Sequence, residues 1–130
     1  MNQIFEKPPI YPLLEQHFDI SWDDGIIITY GENVYCKNVL LPAKVVHESV
    51  HVDQQLAYGI QKWWNRYIAD EQFRLSQELE AYSAEVAWIK KNVKDRNEKF
   101  RMIRQICFDL SSPIYGRIIS YKECHEKFLI

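Results

Sequence analysis

A chain of 130 residues with 47% hydrophobic side chains can bury one sizeable core and has no need of a second. A net charge of -2 argues against bulk electrostatic attraction to nucleic acid or to an anionic membrane, so neither is expected as a partner. No apolar run approaches the ~20 residues of a membrane helix, and no basic-then-apolar leader opens the chain, so a cytoplasmic protein is expected.

Residues 1–16 carry Pro8, Pro9 and Pro12 and read as an extended arm, with a short helical turn from Leu13 to His17. His17 has no ligand partner at useful spacing and is expected in a solvent or capping role. Ile26 to Tyr30 is a β-branched and aromatic run, Gly31-Glu32-Asn33 is turn chemistry, and Val34 to Cys36 resumes the strand pattern. That is a β-hairpin. Ile20 to Trp22, ahead of the Asp23-Asp24-Gly25 turn, offers a third short strand, so a small antiparallel sheet is expected against the next helix.

That helix runs from Pro42, suited to the first turn, to Gly59, suited to the position after the last. It contains His47-Glu48-Ser49-Val50-His51. Positions four apart share a helix face, so two imidazoles can point at one metal ion. Glu48 lies about 100° round, where its carboxylate can reach a metal-bound water without ligating, as a general base does. Val45, Val52 and Leu56 form one apolar stripe and Val46, Val50 and Ala57 another, with His47, His51 and Gln54 between. Burial of both flanks and a histidine row lining a cleft are expected.

Ile60 to Ile68 fits a short helix or an ordered loop; Trp63 and Trp64 are adjacent, so one is expected in the core and the other partly exposed. Asp70 is a fair N-cap for a long helix to about Val93, with the apolar row Leu75, Leu79, Tyr82, Val86 and Ile89. A further amphipathic helix starts near Asp95, marked by Phe100, Ile103, Ile106, Cys107 and Leu110; its mixed charges read as a solvated face rather than a DNA-binding patch. Ser112-Pro113 resembles an N-cap and first helical position, opening a last helix to about Lys127. The fold class is therefore α+β, mainly helical with a small N-terminal hairpin or sheet, as one domain over 1–130. Cys36, Cys107 and Cys124, widely spaced and without a CxxC pair, read as buried reduced thiols.

A catalytic zinc takes three protein ligands, and no third histidine follows His51 at a useful spacing. On the long helix Glu78 lies about 60° from the centre of the apolar row, whereas Glu80 lies about 140° away. Glu78 can face the motif helix. Its plainer reading is a boundary carboxylate paired with Arg74, and Asp53 and Glu85 are substitutes as ligands. Ala81 leaves room for the helices to approach, and Tyr82 can serve a ligand from behind.

His47-Glu48-Ser49-Val50-His51, followed about 27 residues later by Glu78-Leu79-Glu80-Ala81-Tyr82, resembles the gluzincin class of zinc metallopeptidases. The wider layout, an IxxTYG hairpin, HExxHxxQQ, WWxxY and FRxxxELEAY over roughly residues 17–121, is similar to small metallopeptidases of tailed bacteriophages and prophages. The resemblance implies a zincin-like fold, one Zn2+ held by His47, His51 and Glu78, Glu48 as base, and a peptide or protein substrate. Tyr82 stands where the class often has an Asp or Asn orienting a ligand histidine. A hydrogen-bond donor to the reacting carbonyl is sought among Tyr82, Tyr115, Tyr121 and His125. The hairpin offers an edge strand to an extended substrate. The competing reading is a non-catalytic phage or prophage protein with a structural metal site or a protein-binding role.

Overall fold

The β-branched run ahead of Gly31 forms strand β2 (Ile28–Tyr30), and Asn33–Tyr35 returns antiparallel to it as β3. Gly31 makes the turn with φ 65°, a left-handed conformation that glycine adopts without steric cost. In the computed structural model, which describes residues 1–129, the third strand is not Ile20 to Trp22 but β1 (Asn2–Ile4). It pairs parallel with β3, so the sheet is mixed, in the order β1-β3-β2.

The N-terminus is therefore no loose arm. Backbone bonds from Asn2 to Glu32 and from Cys36 to Ile4 satisfy the second edge of β3. Helix α1 (Tyr11–His17) follows, burying Ile10, Tyr11 and Leu14, while His17 stays in solvent. Trp22–Asp24 is a 3₁₀ turn, with Trp22 set edge-on to Tyr11 at 5.9 Å.

Five more helices complete the α+β fold among the described residues: α2 (Pro42–Tyr58), α3 (Ile60–Ala69), α4 (Glu71–Asn92), α5 (Arg96–Leu110) and α6 (Tyr121–Phe128). Their starts follow local chemistry. The Asp70 carboxylate accepts from the Phe73 backbone N–H, and Asp95 accepts from Asn97 and Glu98. The last helix begins later than Ser112-Pro113 suggests. Those residues open only a 3₁₀ turn, which Gly116 (φ 83°) and Arg117 (φ 58°) break, and a Ser120/Glu123 capping box then starts α6.

One apolar cluster joins α4, α5 and α6 through Tyr82, Val86, Ile89, Ile106 and Leu110, and it encloses the free thiols of Cys107 and Cys124. A second joins α1, β2 and α3. Both Trp63 and Trp64 are buried, contrary to the helical-wheel expectation, because α1 and β2 cover one side of α3 while α2 and α4 take the other. Helix α2 departs from its expected pattern on its apolar flanks. Its buried stripe is Ala43, His47, Glu48, His51, Val52 and Gln55, whereas Leu56 is 53% exposed. On α4 the buried face is centred on Glu78, Ala81, Tyr82 and Glu85, leaving Leu75 and Leu79 only partly covered. Each helix has turned a polar row toward the other, a costly arrangement unless those groups bind one another or a shared partner. No helix among the described residues is long and apolar enough to cross a membrane.

Candidate metal centre

The two polar rows meet where α2 and α4 cross. His47 Nε2 and His51 Nε2 lie 3.1 Å apart, and Glu78 Oε1 is 3.2 Å from His51 Nε2 and 3.3 Å from His47 Nε2. All three residues are 3–4% exposed. A tetrahedral ion with bonds of ~2.0–2.1 Å separates its ligand atoms by about 3.3 Å, so this triangle has the right edge length for zinc.

The far sides of the rings say which nitrogens are free. His47 Nδ1 faces Glu85 Oε1 at 3.0 Å, and His51 Nδ1 faces Gln54 Oε1 at 2.8 Å. Gln54 is oriented by its own nitrogen, which donates to the Gln77 carbonyl at 3.1 Å, so its oxygen is the end turned to His51. Both Nδ1 atoms therefore donate, and in the neutral rings both Nε2 atoms present lone pairs to Glu78 Oε1. Three lone-pair atoms at such distances repel unless a cation or protons lie among them. His47 shows the tension: burial pulls its pKa down, but the Glu48 charge and the bonds to Glu78 and Glu85 outweigh it and push it up to about 10. His51 is raised too, because Glu78 offsets its burial. Burial opposes ionisation of Glu78, yet His51 and His47 hold its carboxyl well below the usual range. The group fits a divalent cation with two neutral imidazoles and one carboxylate; identity beyond that is not dictated by the donors.

Glu48 stands apart from the triangle. Its Oε2 is 3.8 Å from His47 Nε2, while Oε1 accepts from Thr29 Oγ1 of β2 at 3.2 Å. Burial raises its pKa, against the charges of His47 and His51. Gln55, fully buried one helical turn beyond His51, donates to the Thr29 carbonyl at 2.8 Å and accepts from the Gly31 N–H at 2.7 Å. It thereby pins the hairpin to α2. His47, Glu48, His51 and Glu78 all line a cavity of about 260 Å³. Its lining includes the apolar Phe18, Ile28 and Trp64 and the polar Lys44, Asp109 and Tyr115.

The other expected site residues divide. Tyr82 and Tyr115 border the cavity with their hydroxyls 2.7 Å apart. The Tyr82 ring lies against the His47 ring at 4.2 Å, so it supports that ligand by contact and not by a hydrogen bond. Tyr121 and His125 are on α6, where Tyr121 rests against Phe108 at 4.8 Å, and neither borders the cavity. Glu80 and Asp53 face solvent. Arg74 does not pair with Glu78; it donates to the carbonyls of Tyr67 at 2.7 Å and Tyr115 at 2.9 Å.

Glu85 is no ligand substitute but the carboxylate behind His47, itself bound by Lys44 at 3.0 Å. The sequence offers Glu85 only as a substitute ligand; its spacing from Glu78, seven residues or two turns along one helix face, is the signal that places it beside the same histidine row. Thr29 and Tyr67 stand in the IxxTYG and WWxxY patterns, but nothing in those patterns assigns them a place at the site, because their partners Glu48 and Glu78 lie on other elements. No protein-family model, curated protein or solved structure matches this chain.

Proposed function

We propose that this chain is a zinc-dependent peptidase with a zincin-like fold and gluzincin-type ligands, of the kind carried by bacteriophages and prophages and working in the host cytoplasm. The observation that carries the reading is the convergence of His47, His51 and Glu78 on a cavity wall, with a non-ligating carboxylate, Glu48, beside them. A divalent ion held there supplies the positive charge that acidifies water and polarises a carbonyl.

The rest falls to the chain's own side chains. Glu48 takes the proton from the attacking water and returns it to the leaving amine. Thr29, by donating to Oε1, keeps Oε2 turned to the reacting side. Burial suits Glu48 to the task by raising its affinity for a proton. In the Tyr82–Tyr115 hydroxyl pair only one hydrogen is spent between the oxygens, so the other can donate to the carbonyl oxygen as it gains charge. The apolar residues of the lining accept a side chain of a peptide or protein substrate. Strand addition on the outer edge of β2 is limited, because Gln55 already occupies the Thr29 carbonyl.

Elemental analysis for bound zinc, with peptide hydrolysis by wild type and Glu48→Gln, tests the reading. An enzyme keeps its metal and loses hydrolysis in the variant. The low exposure of the triad favours a second reading, a structural metal site in a non-catalytic protein; then wild type holds zinc and cleaves nothing.

A further inference from the structure

We propose that Tyr67 makes Glu78 a one-oxygen ligand, and so leaves one corner of the cation free of protein and open to the cavity. The inference rests on reading His47, His51 and Glu78 as a metal site, and concerns how that site is kept incomplete. A carboxylate can grip a cation with both oxygens, and beside two imidazoles the second oxygen adds to a four-coordinate set and crowds the corner that a reactant needs.

At Glu78 the two oxygens have different partners. Oε1 faces both histidines at 3.2 and 3.3 Å, whereas Oε2 accepts a buried hydrogen bond of 2.6 Å from the Tyr67 hydroxyl. Among the described residues Tyr67 is the single donor to Oε2. A short bond to an ionised acceptor is among the stronger hydrogen bonds a protein makes, and it draws electron density from the oxygen that receives it.

The hydroxyl has little freedom to move. The Tyr67 ring stacks on Trp63 at 4.7 Å and 22°, meets Trp64 at 5.1 Å and Phe18 at 6.2 Å, and Arg74 holds its backbone carbonyl. Tyr67 is thus a positioning residue, acting on the metal through Glu78.

Tyr67→Phe keeps the ring and its stacking while deleting the donor. The freed Oε2 then has the cation as its remaining partner, and Glu78 should swing to two-oxygen binding. X-ray absorption of the zinc-loaded protein should show the coordination number rising from four in wild type to five in the variant, at unchanged metal stoichiometry. The cobalt-loaded forms should show the same change as a loss of visible absorption intensity. An identical coordination number and spectrum in wild type and variant would overturn the inference, as would two-oxygen binding by Glu78 in wild type. A variant that takes up no metal also counts against it, since losing a bond to the non-ligating oxygen should leave uptake intact. A wild type that binds neither metal sinks the site itself, a failure distinct from these.

Discussion

Metal binding should be steeply dependent on pH, because the ion must displace protons that the carboxylates around His47 retain. With the His47 pKa at about 10, this imidazole is charged at neutral pH in the metal-free chain. Deprotonating it at pH 7 costs about 4 kcal/mol, at 1.36 kcal/mol for each unit between pH and pKa. Apparent zinc affinity should therefore rise about tenfold per pH unit from roughly pH 6.5 to 10 on account of His47 alone, more steeply where His51 also loses a proton. The metal-free protein should behave oppositely. A raised His47 pKa contributes stability that is complete below its unfolded value of ~6.5 and fades as pH climbs to about 10. The depressed Glu78 carboxyl contributes stability present above ~4.5 and lost as pH falls below that. Metal-free stability should peak between about pH 4.5 and 6.5, and metal-loaded stability should increase through neutrality. Calorimetric zinc titrations in buffers of different ionisation enthalpy count the released protons, and denaturant melts follow both forms. Zinc binding at pH 7 without proton release would refute the reasoning.

Glu85→Gln retains an acceptor for His47 but removes the charge and weakens the bond to Lys44, so zinc affinity should drop about 10–100-fold in competition with a chelating dye. Equal affinity would show that Glu85 does not tune the ligand. Gln55→Ala leaves the Thr29 carbonyl and the Gly31 N–H unpaired beside a new void, which should cost about 2–4 kcal/mol in urea unfolding. A loss below ~0.5 kcal/mol would mean that the hairpin is held by other contacts.

Elements with strong local signals form where expected. Asp70 and Asp95 mark helix starts because a cap satisfies orphan N–H groups within its own turn, and Pro42 because its ring fixes a helical φ at a first-turn position that needs no N–H. The preference for Glu78 over Glu80 follows from helical periodicity, and the burial of one and the exposure of the other agree with it. Where partners are remote the reading fails. The parallel pairing of Asn2–Ile4 with β3 joins segments 31 residues apart, and a three-residue strand carries no signal of its own. The α2 flanks misled because an apolar stripe normally faces the core; here the buried face is the one with partners on α4 and β2.

From sequence alone come the placement of two histidines on one helical face, the carboxylate between them and the better-placed acid on a later helix, because covalent spacing and the 3.6-residue turn dictate which side chains are neighbours. Tertiary structure alone decided that the three ligand atoms lie about a zinc polyhedron's edge apart. It also decided that Glu85 and Gln54 back the rings, that Thr29 holds Glu48, and that Tyr67 holds one oxygen of Glu78. Those contacts cross from one element to another, and their geometry is set by how helices and hairpin bury their faces together, which no stretch of the chain encodes by itself.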